Sequence, residues 1–111
     1  MNAPLPIGIT VKHEQLRIAG RKVERDGRIE VRYPYTGELV ATVPKATLDD
    51  VHSALKIARD FRSPLTRYDR YRILMRAGEI IAGRVPEIAR LITLESGLCL
   101  KDTTYEVGRA S

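Results

Sequence analysis

Residues 16–44 alternate apolar and polar positions in short runs that are separated by turn residues. A period of two is typical of β-strands, so the pattern predicts an antiparallel β-ribbon over residues 16–44, preceded by an irregular arm over residues 1–13. Gly20 can take the positive φ of a tight turn, and Asp26-Gly27 is a strong hairpin signal. A ribbon of this size is marginal in water, so we expect it to pack against another element. The predicted strands are 16–19, 22–25, 29–33 and 38–43.

From Thr47 onward the spacing of apolar residues changes to about 3.6, which predicts helices as far as residue 111. Thr47 with Asp50, and Thr66 with Asp69, have the spacing of a capping box with a shorter acid in place of glutamate. Pro86 suits the first turn of a third helix. The residues expected to be buried are Leu48, Val51, Leu55, Ala58 and Phe61 in the first helix, Tyr71, Leu74, Met75, Ala77, Gly78 and Ile81 in the second, and Ile88, Leu91, Ile92 and Leu94 in the third.

The helices also have predicted ends. Gly83 is a plausible stop for the second helix, and the segment 95–97 closes the third. Thr103 and Glu106 have capping-box spacing, so a fourth helix is expected to start there shortly before Ser111. A chain that stops inside a helix is a first hint of a fragment.

Composition and charge narrow the class of protein. Hydrophobic residues make up 43% and charged residues 30%, ordinary values for a soluble globular chain, and no apolar run is long enough to span a membrane. The lone cysteine suits a reducing compartment, so a cytoplasmic location is expected. The net charge of +5 includes a cluster of arginines at 62–76, which leaves a small basic nucleic-acid-binding module open as an alternative. A solvated helix face is the simpler interpretation of that cluster, which consists of Arg62, Arg67, Arg70, Arg72 and Arg76.

The sequence alone shows no set of residues that would form an active site. The chain has no glycine-rich phosphate loop, and its two histidines, His13 and His52, have no second cysteine nearby for a zinc site. Cys99 has no histidine close in sequence and is expected to be a half-buried apolar residue. Asp49-Asp50 is expected to cap a helix, and His52 to be solvated.

Three segments follow one another in an order that resembles the amino-terminal part of the aldehyde dehydrogenase superfamily. They are YPYTGE (33–38), VATVP (40–44) and DVHSA (50–54), where many members have NP-x-TGE, VA-x-VP and DV-x-x-A. The resemblance covers about residues 14–111 and departs at Tyr33, where many members have asparagine. It implies an α/β family fold, of which this chain would be an α+β piece truncated before the nucleotide-binding and catalytic segments.

The resemblance also implies an activity. Members of the family use NAD or NADP to oxidise a small aldehyde to its acid, with a cysteine nucleophile and a glutamate base that would lie beyond this chain. Cys99 does not align with that nucleophile, so the 111 residues alone are expected to be inactive, to bind no cofactor and to hold no metal. Homo-oligomers of the full-length enzyme are expected, without nucleic-acid or membrane partners, and the fragment itself could self-associate.

Arg109 is the one functional residue that the resemblance carries over. Residues 93–109 are most similar to members that oxidise phosphonate or phosphate aldehydes such as phosphonoacetaldehyde, in which the arginine of Glu-Val-x-Arg binds the anionic group. That motif is EVGR (106–109) here. A guanidinium suits the role because its planar donors match phosphate oxygens. The alternative for Arg109 is an ordinary surface arginine. The alternative for the whole chain is a stand-alone protein-interaction module.

Overall fold

The computed structural model describes residues 8–111, so most of the predicted arm, residues 1–7, lies outside the described part. The chain divides into two compact units, Met1–Arg62 and Ser63–Ser111. The described residues of the first unit form β1 (Lys12–His13), β2 (Leu16–Ile18), β3 (Arg21–Val23), β4 (Arg28–Arg32), β5 (Leu39–Pro44) and α1 (Leu48–Asp60). The second unit contains α2 (Arg67–Ala82), α3 (Val85–Ser96) and α4 (Leu100–Arg109). Strands followed by helices confirm the predicted α+β character.

The strands form two sheets rather than one continuous ribbon. β2 and β3 form an antiparallel hairpin whose two loop residues, Ala19 and Gly20, both have positive φ, as a tight hairpin turn requires. β5 is the centre of a three-stranded sheet, with β4 antiparallel on one side and β1 parallel on the other. Asp26-Gly27 therefore connects two sheets and is not the hairpin turn that its sequence predicts.

β1 is a two-residue strand at the end of the predicted arm, too short to show alternation in the sequence. The His13 side chain adds to its few backbone bonds, because Nδ1 lies 2.9 Å from Thr42 Oγ1 and Nε2 lies 2.8 Å from a Glu24 carboxylate oxygen. The Arg28 guanidinium donates to the other Glu24 oxygen at 3.0 Å. The hydrogen bond with His13 lowers the pKa of Glu24 more than any other contact does. Side chains from outside β1 thus help to hold it in place.

α1 begins with the predicted capping box, and an arginine adds to it. Thr47 Oγ1 accepts from the Asp50 backbone N–H at 3.1 Å, and Asp50 Oδ2 accepts from the Thr47 backbone N–H at 2.9 Å. Arg25 Nε also donates to Asp50 Oδ2 at 2.9 Å, and only 7% of Asp50 is exposed. The Arg25 guanidinium, followed by the Thr47 donors, holds the pKa of Asp50 well below its usual range. Asp50 is therefore a structural carboxylate that ties the start of α1 to the segment after β3.

The predicted burial of the first two helices is wrong, although their apolar residues do have helical spacing. In α1, Leu48 and Leu55 are exposed by 69% and 65%, and in α2 Leu74 is exposed by 71%. The other residues of both predicted faces are also exposed, except Gly78 and Ile81, which are half-buried. Helical spacing predicts which face is apolar, but not whether the chain also supplies an element to cover it.

The core of the second unit lies between α3 and α4. Ala89 and Leu94 of α3 and Thr103 and Val107 of α4 are buried. The predicted helix boundaries are confirmed at Gly83, which caps α2, at Pro86 in the first turn of α3, and at Gly97, which ends α3 with a φ of 78°.

The predicted start of the fourth helix is wrong. α4 begins at Leu100 with Cys99 as its N-cap, and Thr103 lies inside the helix, completely buried. Its hydroxyl donates to the Leu100 carbonyl at 3.2 Å and lies 2.9 Å from Thr93 Oγ1. A threonine hydroxyl can bond to a carbonyl of the preceding turn, so the Thr-x-x-Glu spacing also occurs within helices.

Replacing Asp50 with asparagine is expected to loosen the first turn of α1 more than Asp69→Asn loosens that of α2. Both carboxylates accept bonds from the N-cap threonine, but only Asp50 is buried and paired with an arginine. Because the folded-state pKa of Asp50 is lowered, its contribution is complete above the unfolded value of about 3.9 and is lost as the pH falls below it. Amide hydrogen exchange, corrected for intrinsic rates, measures the opening of both helices and its dependence on pH, and equal loosening of the two helices would contradict this account.

Thr47→Ala, which removes only the N-cap hydroxyl, should lower the free energy of unfolding by about 1 kcal/mol.

Candidate functional site

Arg109 lies in the last turn of α4, on the face opposite the helix core. Thr103 and Val107, four residues apart, are buried, while Tyr105 and Arg109, also four apart, are exposed. A positive charge in the last turn is favourable because the carbonyl end of a helix carries a partial negative charge. The burial of Thr103 and Val107 thus directs Arg109 outward from the helix core.

The guanidinium of Arg109 has only weak protein partners. Nη1 lies 3.4 Å from both carboxylate oxygens of Glu106, and Cζ lies 6.0 Å from the centre of the Tyr105 ring. The side chain is 64% exposed, and an exposed pair at this distance contributes little. Among the described residues, nothing hydrogen-bonds to Nε or Nη2. This edge of the guanidinium can therefore donate two parallel hydrogen bonds to a carboxylate, sulfonate or phosphonate.

Helical spacing places Tyr105 one turn before Arg109, and the structure adds Glu106 as the hydrogen-bonding neighbour of the guanidinium. The signal was present, because residues three and four positions apart on a helix lie on the same side. Without the burial of Thr103 and Val107, however, the sequence does not show which side is open.

Cys99 is exposed at the N-cap of α4, so the expectation of a half-buried residue is wrong. Its neighbours Leu98 and Leu100 are also exposed, by 48% and 55%. Residues 63–111 include no histidine, so the second unit offers no imidazole that could activate the thiol.

The other candidate residues have structural or solvated positions. Asp50 caps α1 as expected, and His52 is exposed. All five arginines of the 62–76 cluster are exposed, in agreement with a solvated face. The described residues contain no group of three side chains suited to bind a metal ion, and none of their helices is long and apolar enough to cross a membrane.

A family model and curated relatives identify the class to which this chain belongs. The model of the aldehyde dehydrogenase family matches residues 22–111. The chain is 31% identical over 102 residues to a 3-sulfolactaldehyde dehydrogenase of Priestia aryabhattai, and 36% identical over 107 residues to malonate-semialdehyde dehydrogenase 2 of Oceanobacillus iheyensis. These matches cover 91% and 90% of this chain, but 21% and 22% of the relatives. The chain belongs to the aldehyde dehydrogenase family and spans about a fifth of the length of these relatives.

Solved structures agree with this assignment. An NAD-dependent aldehyde dehydrogenase from Sinorhizobium meliloti matches with a TM-score of 0.83 and 25% identity, over 96% of this chain and 23% of that one. Aldehyde dehydrogenase 21 from Physcomitrella patens, solved with the reaction product succinate, matches with a TM-score of 0.77 and 30% identity, over 91% of this chain and 22% of that one. The chain thus has the fold of the corresponding part of these enzymes, as the resemblance implied.

Proposed function

We propose that this chain is part of an NAD(P)-dependent aldehyde dehydrogenase that oxidises an aldehyde bearing an anionic group, and that Arg109 binds that group. The observation that carries the proposal is the exposed guanidinium of Arg109, on a helix anchored by two buried residues, with Nε and Nη2 open to a ligand. Two relatives support it by their names, since 3-sulfolactaldehyde carries a sulfonate and malonate semialdehyde a carboxylate.

We propose that cofactor binding and the chemical steps of the reaction belong to segments that this chain does not contain. Its sequence has no glycine-rich turn that could cradle the phosphates of a dinucleotide, so the cofactor does not fit these residues. The unit that contains Cys99 also has no histidine that could activate its thiol. The 111 residues alone are therefore proposed to be inactive. A cytoplasmic location and a homo-oligomeric full-length enzyme complete the proposal.

The identity of the anion is the finer part of the proposal. The EVGR motif favours a phosphonate or phosphate aldehyde such as phosphonoacetaldehyde, whereas the names of the two relatives favour a sulfonate or a carboxylate. All three groups present oxygen pairs that a guanidinium can bind.

The full-length enzyme should be assayed with NAD⁺ and NADP⁺ on aldehydes of similar length that end in a phosphonate, a sulfonate, a carboxylate or a neutral group. We expect kcat/KM for at least one charged aldehyde to exceed that for the neutral one by about tenfold or more, since a hydrogen bond to an ion is worth about 1.5–3 kcal/mol. Equal values for all four aldehydes would overturn the proposed specificity. No oxidation of any aldehyde would overturn the proposed activity.

A further inference from the structure

Glu106 is the acidic residue that contacts the guanidinium of Arg109, the group to which the anion is proposed to bind. Both of its carboxylate oxygens lie 3.4 Å from Nη1, on the third residue before Arg109 in the same helix. We infer that Glu106 sets the specificity of the enzyme among anionic substrates, an inference that rests on the proposed function. Glu106 weakens the binding of the substrate's anionic group in proportion to the charge that this group carries.

The inference follows from where a second anion can bind. An anion on the open Nε–Nη2 edge would lie within several ångströms of the Glu106 carboxylate, because both occupy the same guanidinium. The Coulomb repulsion between them is proportional to the charge of the incoming group. A phosphate-like group carries about −1.5 to −2 near neutral pH, a sulfonate or carboxylate carries −1, and a neutral aldehyde carries none. Glu106 therefore disfavours a phosphate-like group most and a sulfonate or carboxylate less, and it does not disfavour a neutral group.

Glu106 is not the only contact that holds Arg109. The Tyr105 ring lies beneath the guanidinium, and the carbonyl end of α4 favours a cation in its last turn. Glutamine has the size of glutamate and retains an acceptor oxygen, so Glu106→Gln removes the charge with little change in the position of Arg109.

In the full-length enzyme, Glu106→Gln is expected to lower KM for a phosphonate aldehyde about two- to fivefold, the range of an exposed ion pair. The decrease for a sulfonate or carboxylate aldehyde should be about the square root of that factor, and KM for a neutral aldehyde should not change. kcat should stay constant, and the effect should shrink at high salt because salt screens exposed charges. Asp102→Asn is the matched control, since Asp102 is an exposed acid in the first turn of α4 that does not contact Arg109.

The outcomes separate this inference from the function on which it rests. A higher KM for charged aldehydes in Glu106→Gln would mean that Glu106 positions Arg109, and it would overturn the inference. An equal change for charged and neutral aldehydes, or the same change in Asp102→Asn, would overturn it too. If Arg109→Ala affects charged aldehydes alone while Glu106→Gln has no effect, only this inference fails. If Arg109→Ala affects all aldehydes equally, the proposed function of Arg109 fails.

Discussion

Arg109→Ala in the full-length enzyme is expected to lower kcat/KM for the anionic aldehyde by roughly 10- to 150-fold. A charge-assisted hydrogen bond contributes about 1.5–3 kcal/mol, and each 1.36 kcal/mol corresponds to a factor of ten. The fold should survive the substitution, because Arg109 is exposed and its protein contacts are long. Steady-state kinetics with matched charged and neutral aldehydes measures the effect.

The neutral aldehyde is the control within this experiment, because it offers no anion for Arg109 to bind. Its kcat/KM should hardly change. Arg109→Lys adds a second control: lysine keeps the charge but lacks the planar pair of donors, so it should recover only part of the lost activity. Equal losses for both aldehydes would show that Arg109 is structural, and would remove the residue that supports the anionic specificity.

The isolated 111-residue chain is expected to self-associate at concentrations on the order of 10–100 μM. Its helices present apolar side chains to solvent, among them Leu55 of α1 and Leu74 of α2, exposed by 65% and 71%. Exposed apolar patches of this kind promote association, because burial in a neighbouring molecule removes them from water. Sedimentation velocity over a series of concentrations measures the distribution of oligomers.

Charged substitutions on the exposed apolar faces of α1 and α2 test whether these faces cause the self-association. Leu55→Glu and Leu74→Glu should each reduce association without disturbing the buried residues of either unit. Ser53→Glu also adds a negative charge to α1, but Ser53 is exposed and lies two residues from Leu55, on another side of the helix, so association should be largely unchanged. A wild-type chain that stays monomeric and unfolds in one sharp cooperative transition would contradict the prediction.

Local patterns predicted the helices well because helix ends depend on nearby residues. Thr47 with Asp50 and Thr66 with Asp69 form the predicted capping boxes, and Gly83, Pro86 and Gly97 mark the predicted boundaries. Each of these signals acts within about one helical turn, so the sequence alone carries it.

The sequence-based predictions that are wrong concern contacts between segments that are distant in sequence. β1 pairs with β5, about 29 residues away, and a two-residue strand leaves no periodic signal. The burial of α1 and α2 depends on what covers them, which spacing within one helix does not reveal. The spacing of Thr103 and Glu106 predicts an N-cap, but the sequence does not reveal that the Thr103 hydroxyl lies against Thr93 of α3.

The candidate site was accessible to the sequence only through family resemblance. Arg109 is one of 19 lysine and arginine residues, and no local pattern sets it apart. Its open guanidinium edge depends on the burial of Thr103 and Val107, which turns Arg109 outward. The arrangement around it therefore required the structure.

The most direct test is the position of a bound anion in a crystal structure of the full-length enzyme. The ligand should be an unreactive analogue in which the aldehyde is reduced to an alcohol and the phosphonate, sulfonate or carboxylate is retained. We predict that two oxygens of the anion lie about 2.7–3.2 Å from nitrogens of Arg109. An anion bound elsewhere, with Arg109 contacting only protein side chains, would contradict the account.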